Sequence, residues 1–367
     1  MHVFRPILGT AVALLAACAA PAAKSPEARP DPGALDAEIM RVSARQFNQY
    51  VDAMLLCGSP TPREWEEARR LFEILHPYFV FREDPDLIRQ FRAGSETARK
   101  ELARRGVLLQ AVLVFKKPYD RGRWDEARKT LLDAGEAGQS LLTTTLLQML
   151  LDGHHLPVWS HVRYTLVELG PFALETTAGL AQELARVTPG DAPVFKIEDL
   201  TQVSLVLIGF GDAGRPHMMA LAKHEKANVR RAVARAIGES TDAPSVPILA
   251  GLLAEDPEWI VRGAAAEAMG RMGAVRSACG PALVARIGQE RDSLVLRLVL
   301  RAIGDLRYAE AVPALVRALE VPSRETAEAA MISLAGITGE RFQRREQWDE
   351  WYRAHYPAWK QRQGRSR

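Results

Sequence analysis

Histidine and carboxylate side chains that could bind a metal ion cluster once in the sequence. Asp152, His154, His155 and His161 lie within ten residues, and imidazole combined with carboxylate suits zinc. Their spacing matches no structural zinc motif, and the glycine and proline on either side of the histidine pair predict a loop. A solvated loop therefore accounts for this cluster better than a metal site does.

A second pair of histidines, His217 and His224, is seven residues apart, with Glu225 adjacent. If one helix runs through both, the two side chains share a face. A single His-Glu dyad provides too few ligands for a di-iron site, so the sequence predicts neither a metal nor another cofactor.

Catalytic motifs are missing from the sequence. It contains no Gly-x-Ser-x-Gly elbow, P-loop, His-Glu-x-x-His or Cys-x-x-Cys. No pair of acidic residues stands in a context that would separate two pKa values for acid-base catalysis. We therefore predict no catalytic residue and no enzyme, with an unrecognised activity as the minor alternative.

The clearest pattern is a phrase of ten residues that occurs three times. Inside the first copy, small apolar residues recur at positions i, i+3, i+4 and i+7, as on one face of a helix. The closing glycines of the three copies are 32 and 34 residues apart. A fixed period of this size is typical of a helical solenoid, in which each helix pair buries its apolar face against its neighbours. The copies are Val229 to Gly238, Val261 to Gly270 and Val295 to Gly304.

A second helix is predicted after the first and third copies, because Pro247 and Pro313 stand where the first turn of an apolar stretch would be. The paired helices, the Val-Arg opening at Arg230 and Arg262, and the Ala-x-Gly close resemble the HEAT-repeat family, in the short bacterial form also seen in phycobilin lyases. The resemblance implies an all-α fold, a right-handed α-solenoid of stacked HEAT-like helix pairs with helical N- and C-terminal caps. Leu296 replaces the arginine in the third copy, which puts the polar contact to the preceding repeat in doubt there.

Weaker copies of the phrase extend the array to about seven units. They close at Gly135, Gly170 and Gly209 upstream of the three clear copies, and at Gly336 downstream. We therefore expect the array to occupy residues 121–340.

Both ends of the array are expected to be covered, because a solenoid otherwise exposes the apolar surface of its terminal repeats. Residues 35–120 predict a helical N-terminal cap region, with degenerate repeats as the alternative because the stretches at Trp65 and Trp124 are similar. Residues 341–367 predict an aromatic C-terminal cap helix and a basic tail. The aromatic residues would seal the last repeat or, alternatively, bind a peptide or glycan. They are Trp348, Trp351, Tyr352, Tyr356 and Trp359.

The N-terminus resembles the signal of a bacterial lipoprotein. Arg5 is the only formal charge before an apolar run of 11 residues, too short to span a bilayer, and the segment ends in Leu-Ala-Ala-Cys. The resemblance implies that residues 1–17 are removed and that Cys18 carries a diacylglycerol and an amide-linked acyl chain, followed by a Pro- and Ala-rich tether over residues 18–34. Ala19 is similar to the outer-membrane sorting pattern, which implies a lipid-anchored protein of the cell envelope that faces the periplasm. An ordinary secretory signal that contains a cysteine is the alternative.

Charge and cysteine content narrow the function classes further. The chain has 48 basic and 45 acidic residues, a balance too neutral for a dedicated nucleic-acid binder. Beyond Cys18 it has only Cys57 and Cys279, and an oxidising compartment would permit a disulfide between them. Their separation in sequence argues instead for two buried free thiols.

Arginines occupy outward positions of the repeated helices. In the resembled family this helix lines the concave face, which implies that two arginine pairs flank a small, shallow middle at Gly263 and Glu267. Such a surface suits an acidic peptide or an anionic glycan, although solvated arginines are the simpler interpretation. The candidate partner-binding residues are Arg231, Arg235, Arg297 and Arg301.

Together these patterns predict a membrane-anchored HEAT-repeat scaffold that binds a protein partner on its concave face in the cell envelope. One alternative is a cofactor-handling or lyase-type HEAT enzyme, and another is a purely structural envelope lipoprotein. The lipid bilayer, reached through acylated Cys18, is the second expected partner, and nucleic acid is not expected to be one.

Overall fold

The fold is all-helical wherever it is described, with no strand in those parts of the chain. The chain divides into two compact units, the first reaching Thr176 and the second beginning at Thr177. The computed structural model describes residues 44–74, 84–115, 117–151, 158–190 and 197–365.

Several predictions concern residues outside these ranges. They are the signal over residues 1–17, Cys18 with its tether over residues 18–34, and the loop side chains of Asp152, His154 and His155. The N-terminal cap region predicted from residue 35 is described from Ala44 onward.

The first unit contains seven helices in its described part. The longest of these helices has 20 residues and lies at the centre of the unit. These helices are α1 (Ala44–Leu56), α2 (Pro62–Ile74), α3 (Asp84–Arg92), α4 (Glu96–Phe115), α5 (Arg121–Asp133), α6 (Glu136–Leu151) and α7 (Trp159–Glu168). The long helix α4 packs against α1, α3, α5 and α6, and α2 packs on α1. Leu102, Leu109 and Val112 of α4 are buried in these contacts.

A buried polar cluster links α1, α3 and α4. Asp84 is fully buried, and its two carboxylate oxygens accept hydrogen bonds from the Tyr50 hydroxyl at 2.6 Å and from Nη1 of Arg105 at 2.7 Å. Nε of Arg105 also donates to Glu101 at 2.9 Å. Because a buried carboxylate is costly unless it is paired and hydrogen-bonded, this cluster fixes the three helices to one another.

The second unit is a two-layer stack. It begins within α8 (Pro171–Val187) and continues with α9 (Glu198–Gly209), α10 (Arg215–Ala222), α11 (Ala227–Ser240), α12 (Val246–Glu255), α13 (Trp259–Arg271), α14 (Arg276–Ile287), α15 (Ser293–Asp305), α16 (Val312–Ala318), α17 (Arg324–Thr338), α18 (Arg345–Ala354) and α19 (Tyr356–Arg365). We call α9, α11, α13, α15 and α17 the inner layer, because each packs extensively on the next. The outer layer is α10, α12, α14, α16 and α18, whose neighbours touch far less. This arrangement confirms the predicted α-solenoid.

The glycines that close the repeated phrase lie where neighbouring inner helices approach most closely. A Cβ added at Gly238 would stand 2.7 Å from Cα of Ala268, and one added at Gly270 would stand 3.0 Å from Cα of Ala302. Gly304 meets Ser333 of α17 in the same way, at 3.0 Å from its Cα. The small residues of the phrase therefore set the spacing of the inner layer.

The last repeat lies one residue out of the expected register. Ser333 takes the place that Ala268 and Ala302 take in the two preceding interfaces, so Ala335 rather than Gly336 is equivalent to Gly304. Gly336 is exposed, and a Cβ there would have ample space.

Two of the upstream glycines have a different role. Gly135 and Gly170 have φ values of +70° and +69°, in the left-handed region that favours glycine, and each lies just after a helix. They terminate α5 and α7 rather than allow a close helix contact. These copies therefore resemble the central ones in sequence but differ from them in packing.

The Val-Arg opening of the phrase forms a buried network. Nε and Nη2 of Arg230 donate to the two carboxylate oxygens of Asp256 at 2.6 and 2.8 Å. Nη1 donates to the backbone carbonyls of His224 and Glu225 at 2.7 and 2.8 Å. These carbonyls follow the C-terminus of α10, where helix carbonyls lack partners and a cation is favoured.

Arg262 repeats this arrangement one unit later. It donates to both carboxylate oxygens of Glu290 at 2.9 and 3.0 Å, and to the carbonyls of Asp256 and Pro257 at 2.9 Å each. Each arginine thus ties the loop before its own helix to the loop before the next inner helix. Leu296, at the equivalent position of α15, is buried and has no polar group, so the series ends with Arg262.

The C-terminal helices extend the stack beyond α17. Trp348, Trp351 and Trp359 are buried, and α18 packs against α16 as the second helix of the last pair. Helix α19 continues through the predicted basic tail to Arg365. Cys57 and Cys279 are free and buried, as predicted.

Candidate functional site

The inner layer is packed more tightly than the outer layer. Its helices approach closely through glycine, alanine and serine, whereas neighbouring helices of the outer layer touch little. The side chains that point out of the inner layer lie together on one side of the stack.

These outward side chains form three equivalent rows across α11, α13 and α15, which we call the inner face. Each helix contributes residues at i, i+4 and i+8, the spacing of one helical stripe. Taken helix by helix, they are Arg231, Arg235 and Glu239, then Gly263, Glu267 and Arg271, then Arg297, Arg301 and Asp305.

Charge alternates along the inner face. The last two residues of the stripe read Arg-Glu on α11, Glu-Arg on α13 and Arg-Asp on α15. Carboxylates thus stand beside guanidiniums, both along each helix and between neighbouring helices. The surface therefore presents positive and negative charges in a repeating order. The sequence analysis predicted two arginine pairs but not this alternation.

The candidate arginines differ in how far they are already engaged. Arg235 pairs with Glu239 at 2.8 Å and with Glu198 at 2.9 Å, and Arg231 also has a polar or electrostatic contact. Arg301 is exposed and makes no ion pair with any described residue. Arg297 is half-buried, and its Nε is buried without a hydrogen-bond partner among the described side chains and backbone.

Part of the inner face forms a cavity of about 400 Å³ between α11 and α13. Arg231, Arg235 and Glu239 line one side, and Glu267 and Arg271 line the other. Glu267 and Arg271 are exposed and form no ion pair within the described ranges, not even with each other. The cavity can therefore accept both a cation and an anion from a ligand.

The shallow middle predicted at Gly263 is partly filled. A Cβ at Gly263 would stand 3.0 Å from Cδ1 of Leu298, so this side chain of α15 lies over the glycine. Two further apolar residues are exposed on the neighbouring helices, Leu294 by 39% and Ile332 by 64%. Ile332 of α17 occupies the row of Arg235, Glu267 and Arg301. The sequence did not reveal this exposed isoleucine, because the expected register placed Ser333 rather than Ile332 in that row.

His217 and His224 do not lie on one helix. Helix α10 ends at Ala222, so His224 lies beyond it, although both His217 and His224 line a cavity of about 170 Å³ together with Gln182. Nδ1 of His224 accepts the Lys226 backbone N–H at 3.1 Å, and burial lowers the pKa of this histidine.

His161 lies in an aromatic cluster of the first unit. Its ring centroid is 5.6 Å from that of Tyr119 and 5.8 Å from that of Trp124. Across all described residues, no group of three or more His, Cys, Asp or Glu side chains is arranged to hold a metal ion.

The fold and the repeated contacts define a helical repeat protein, an α-solenoid of stacked helix pairs. Residues 202–270, from α9 through most of α13, match the HEAT repeats family, which confirms the resemblance for this stretch. No protein of curated function matches the chain in sequence. Among the helices described, none is long and apolar enough to cross a membrane.

Several solved structures are similar to the chain at low identity. The karyopherin Kap121p bound to the SUMO protease Ulp1p is 12% identical with a TM-score of 0.38, and the match covers 97% of this chain and 43% of that one. The Escherichia coli protein YibA is 12% identical with a TM-score of 0.30, covering 85% and 99% of the two chains. An engineered protein is 16% identical with a TM-score of 0.29, covering 90% and 98%. The chain thus spans less than half the length of the Kap121p chain, and TM-scores of this size give no information on function.

Proposed function

We propose that the protein is a lipid-anchored scaffold of the cell envelope that binds a protein partner on the inner face. The observation that carries this proposal is the exposed stripe across consecutive inner helices, in which unpaired charges of both signs stand beside exposed apolar side chains. Neighbouring helices pack about 8–10 Å apart, so the stripe from α11 to α17 spans roughly 30 Å. A stacked-repeat surface of this extent suits a protein segment.

Alternating charge favours a protein partner over a simple anion. A uniformly acidic ligand would meet Glu239, Glu267 and Asp305 as well as the arginines. A protein segment can place carboxylates and amines in a matching order, which gives specificity because the wrong order brings like charges together. The apolar side chains of Leu294 and Ile332 add surface that gains from burial.

The anchoring part of the proposal is supported by the sequence around Cys18. The tether over residues 18–34 has the composition of an extended, semi-rigid spacer, and polyproline-type chain extends about 3.1 Å per residue. The folded units could then reach a partner up to about 50 Å from the lipid surface.

Site-specific photocrosslinking in the native envelope tests partner binding. A photoreactive amino acid replaces Arg301 or Ile332 on the inner face, and Arg317, which is exposed on α16 of the outer layer, serves as the matched control. We expect one dominant protein adduct from both inner positions and none from the control. Adducts that are the same at all three positions, or absent from the inner ones, would remove the inner face from consideration.

A further inference from the structure

The outer layer contains a larger cavity than the two described above, on the opposite side of the stack from the inner face. It is a groove of about 620 Å³ between α10 and α12. Its walls are mainly apolar and are formed by Met219, Ala222, Pro247, Ile248, Gly251 and Leu252. The volume lies within the range of about 300–1,000 Å³ that is typical of small-molecule sites.

Two features leave the space between α10 and α12 unfilled. Helix α10 has only eight residues, so it covers little of its neighbour. Gly251 faces open space, since a Cβ added there would meet no atom within 4 Å. Met219 remains 45% exposed on the opposite wall. An apolar surface of this shape would gain from a ligand that excludes water from it.

Charge differs between the two ends of the groove. At the start of α10, Nη1 of Arg215 lies 2.6 Å from Asp212, a side chain that is 92% exposed, and Nε of Arg215 is buried with no hydrogen-bond partner in the described chain. The other end carries the carboxylates of Glu225 and Glu255 together with Lys223.

The Arg230–Asp256 pair also borders the second end, where each group already satisfies the other. The ion pair of Arg215 with the exposed Asp212 is weak, so Arg215 can exchange Asp212 for a ligand carboxylate. The other end of the groove has two carboxylates, Glu225 and Glu255, and one amine, Lys223.

We propose that the groove binds a medium-chain fatty acid, with its carboxylate at Arg215 and its alkyl chain along Met219, Ile248 and Gly251. The walls from Pro247 to Glu255 extend over about 12 Å of helix, enough for a chain of medium length. The carboxylates at the far end disfavour the reverse orientation. This site is separate from the inner face, so its loss would leave the proposed scaffold function untouched.

Fluorescence titration with 11-(dansylamino)undecanoic acid tests the site. The protein is the full chain with Cys18→Ala, purified without detergent so that no other amphiphile competes. We expect saturable binding, displaced by dodecanoate at a concentration at least about tenfold lower than by dodecyltrimethylammonium, because only the carboxylate gains a charge-assisted contact with Arg215. Equal displacement by the two amphiphiles would contradict the role of Arg215.

Two pairs of matched variants locate the site. Gly251→Phe fills the groove and should abolish probe binding, whereas Gly288→Phe, at another glycine with open space around it, should leave binding unchanged. Arg215→Gln should weaken dodecanoate binding about tenfold, and Arg317→Gln on α16 should not. Since Arg215 is partly exposed, its variant tests the proposal even if Gly251→Phe folds poorly. Unchanged binding in Arg215→Gln, or equal losses in a variant and its control, would overturn the proposal.

Discussion

Gly238 has no side chain, and this lets α11 and α13 approach each other closely. We expect Gly238→Ala to destabilise the fold by about 1–3 kcal/mol, because the new methyl group would stand 2.7 Å from Cα and Cβ of Ala268 and neither backbone can yield freely. Thermal unfolding followed by circular dichroism measures the loss. Gly251→Ala is the matched control, since it also lies inside a helix but faces open space and should gain helix propensity. A destabilisation no larger than that of the control would show that the close contact does not limit packing.

Glu290 is held ionised by the guanidiniums around it. Burial alone would raise the pKa of this carboxyl, but hydrogen bonds from Arg262, from the Asp292 backbone N–H and from Arg286 outweigh burial and hold the pKa at about 2. Because the folded-state pKa lies below the ordinary value of 4.5, the stabilisation is complete above that value and is lost as the pH falls from about 4.5 toward 2.

We expect Glu290→Gln to lower the melting temperature at pH 7 and to reduce the slope of stability against pH between about 4.5 and 2. The loss at pH 7 follows from leaving the largely buried Arg262 without its charged partner, which typically costs about 3–5 kcal/mol. Glu267→Gln, which changes an exposed carboxylate that has no partner in the described chain, should change neither quantity. An acid slope that is the same in both variants would show that Glu290 does not contribute to it.

At the scale of the helices, the order of charge on α13 can be reversed without changing its composition. The double variant Glu267→Arg/Arg271→Glu exchanges the two charges. It places an arginine between Arg235 of α11 and Arg301 of α15, and a glutamate between Glu239 of α11 and Asp305 of α15. We expect stability to change by less than about 1 kcal/mol, since exposed charges contribute little. The inner-face photoadduct should nevertheless be lost, because a partner that matches the native order would meet repulsion.

The control for this exchange is the exposed pair of Arg121 and Asp125 on α5, whose charges are also four residues apart. Swapping that pair should leave the adduct in place. An adduct that survives the exchange on α13 would show that the partner is not recognised by the order of charge.

The helices themselves were largely predictable, and the exceptions have physical causes. The period of the Val-Arg phrase predicted the central helix pairs, because small residues at the closing positions are needed for close packing. The register of the last repeat was missed by one residue, since Ser333 rather than an alanine fills the contact with Gly304. Gly135 and Gly170 matched the phrase by letter, but left-handed glycines that end a helix look the same in sequence as glycines that allow a close approach.

For the whole molecule, the solenoid followed from the sequence, whereas the character of its surfaces did not. The arginines of the inner face were visible as residue types, but their interleaving with Glu239, Glu267 and Asp305 depends on how neighbouring helices align. The groove between α10 and α12 arises from a short helix and from Gly251, neither of which marks a site in a sequence. A surface that forms between repeats is defined by their stacking rather than by any one of them.

The proposed attachment to the membrane belongs to the scale of the whole chain, and the proposal makes it depend on one side chain, Cys18. We expect Cys18→Ala to move the protein from the membrane fraction to the soluble periplasmic fraction, and to abolish incorporation of labelled fatty acid. Multiple acyl chains hold a protein on a bilayer where a single one binds only marginally, so removing the acylated residue should release nearly all of it. Cys57→Ala is the matched control, because the thiol of Cys57 is buried in the first unit and burial raises its pKa to about 12, which leaves it unsuited to acylation. If the Cys18 variant stays in the membrane fraction while Cys57→Ala behaves as the native chain does, the anchor is not a lipid on Cys18, and the ordinary secretory signal becomes the better interpretation of the N-terminus.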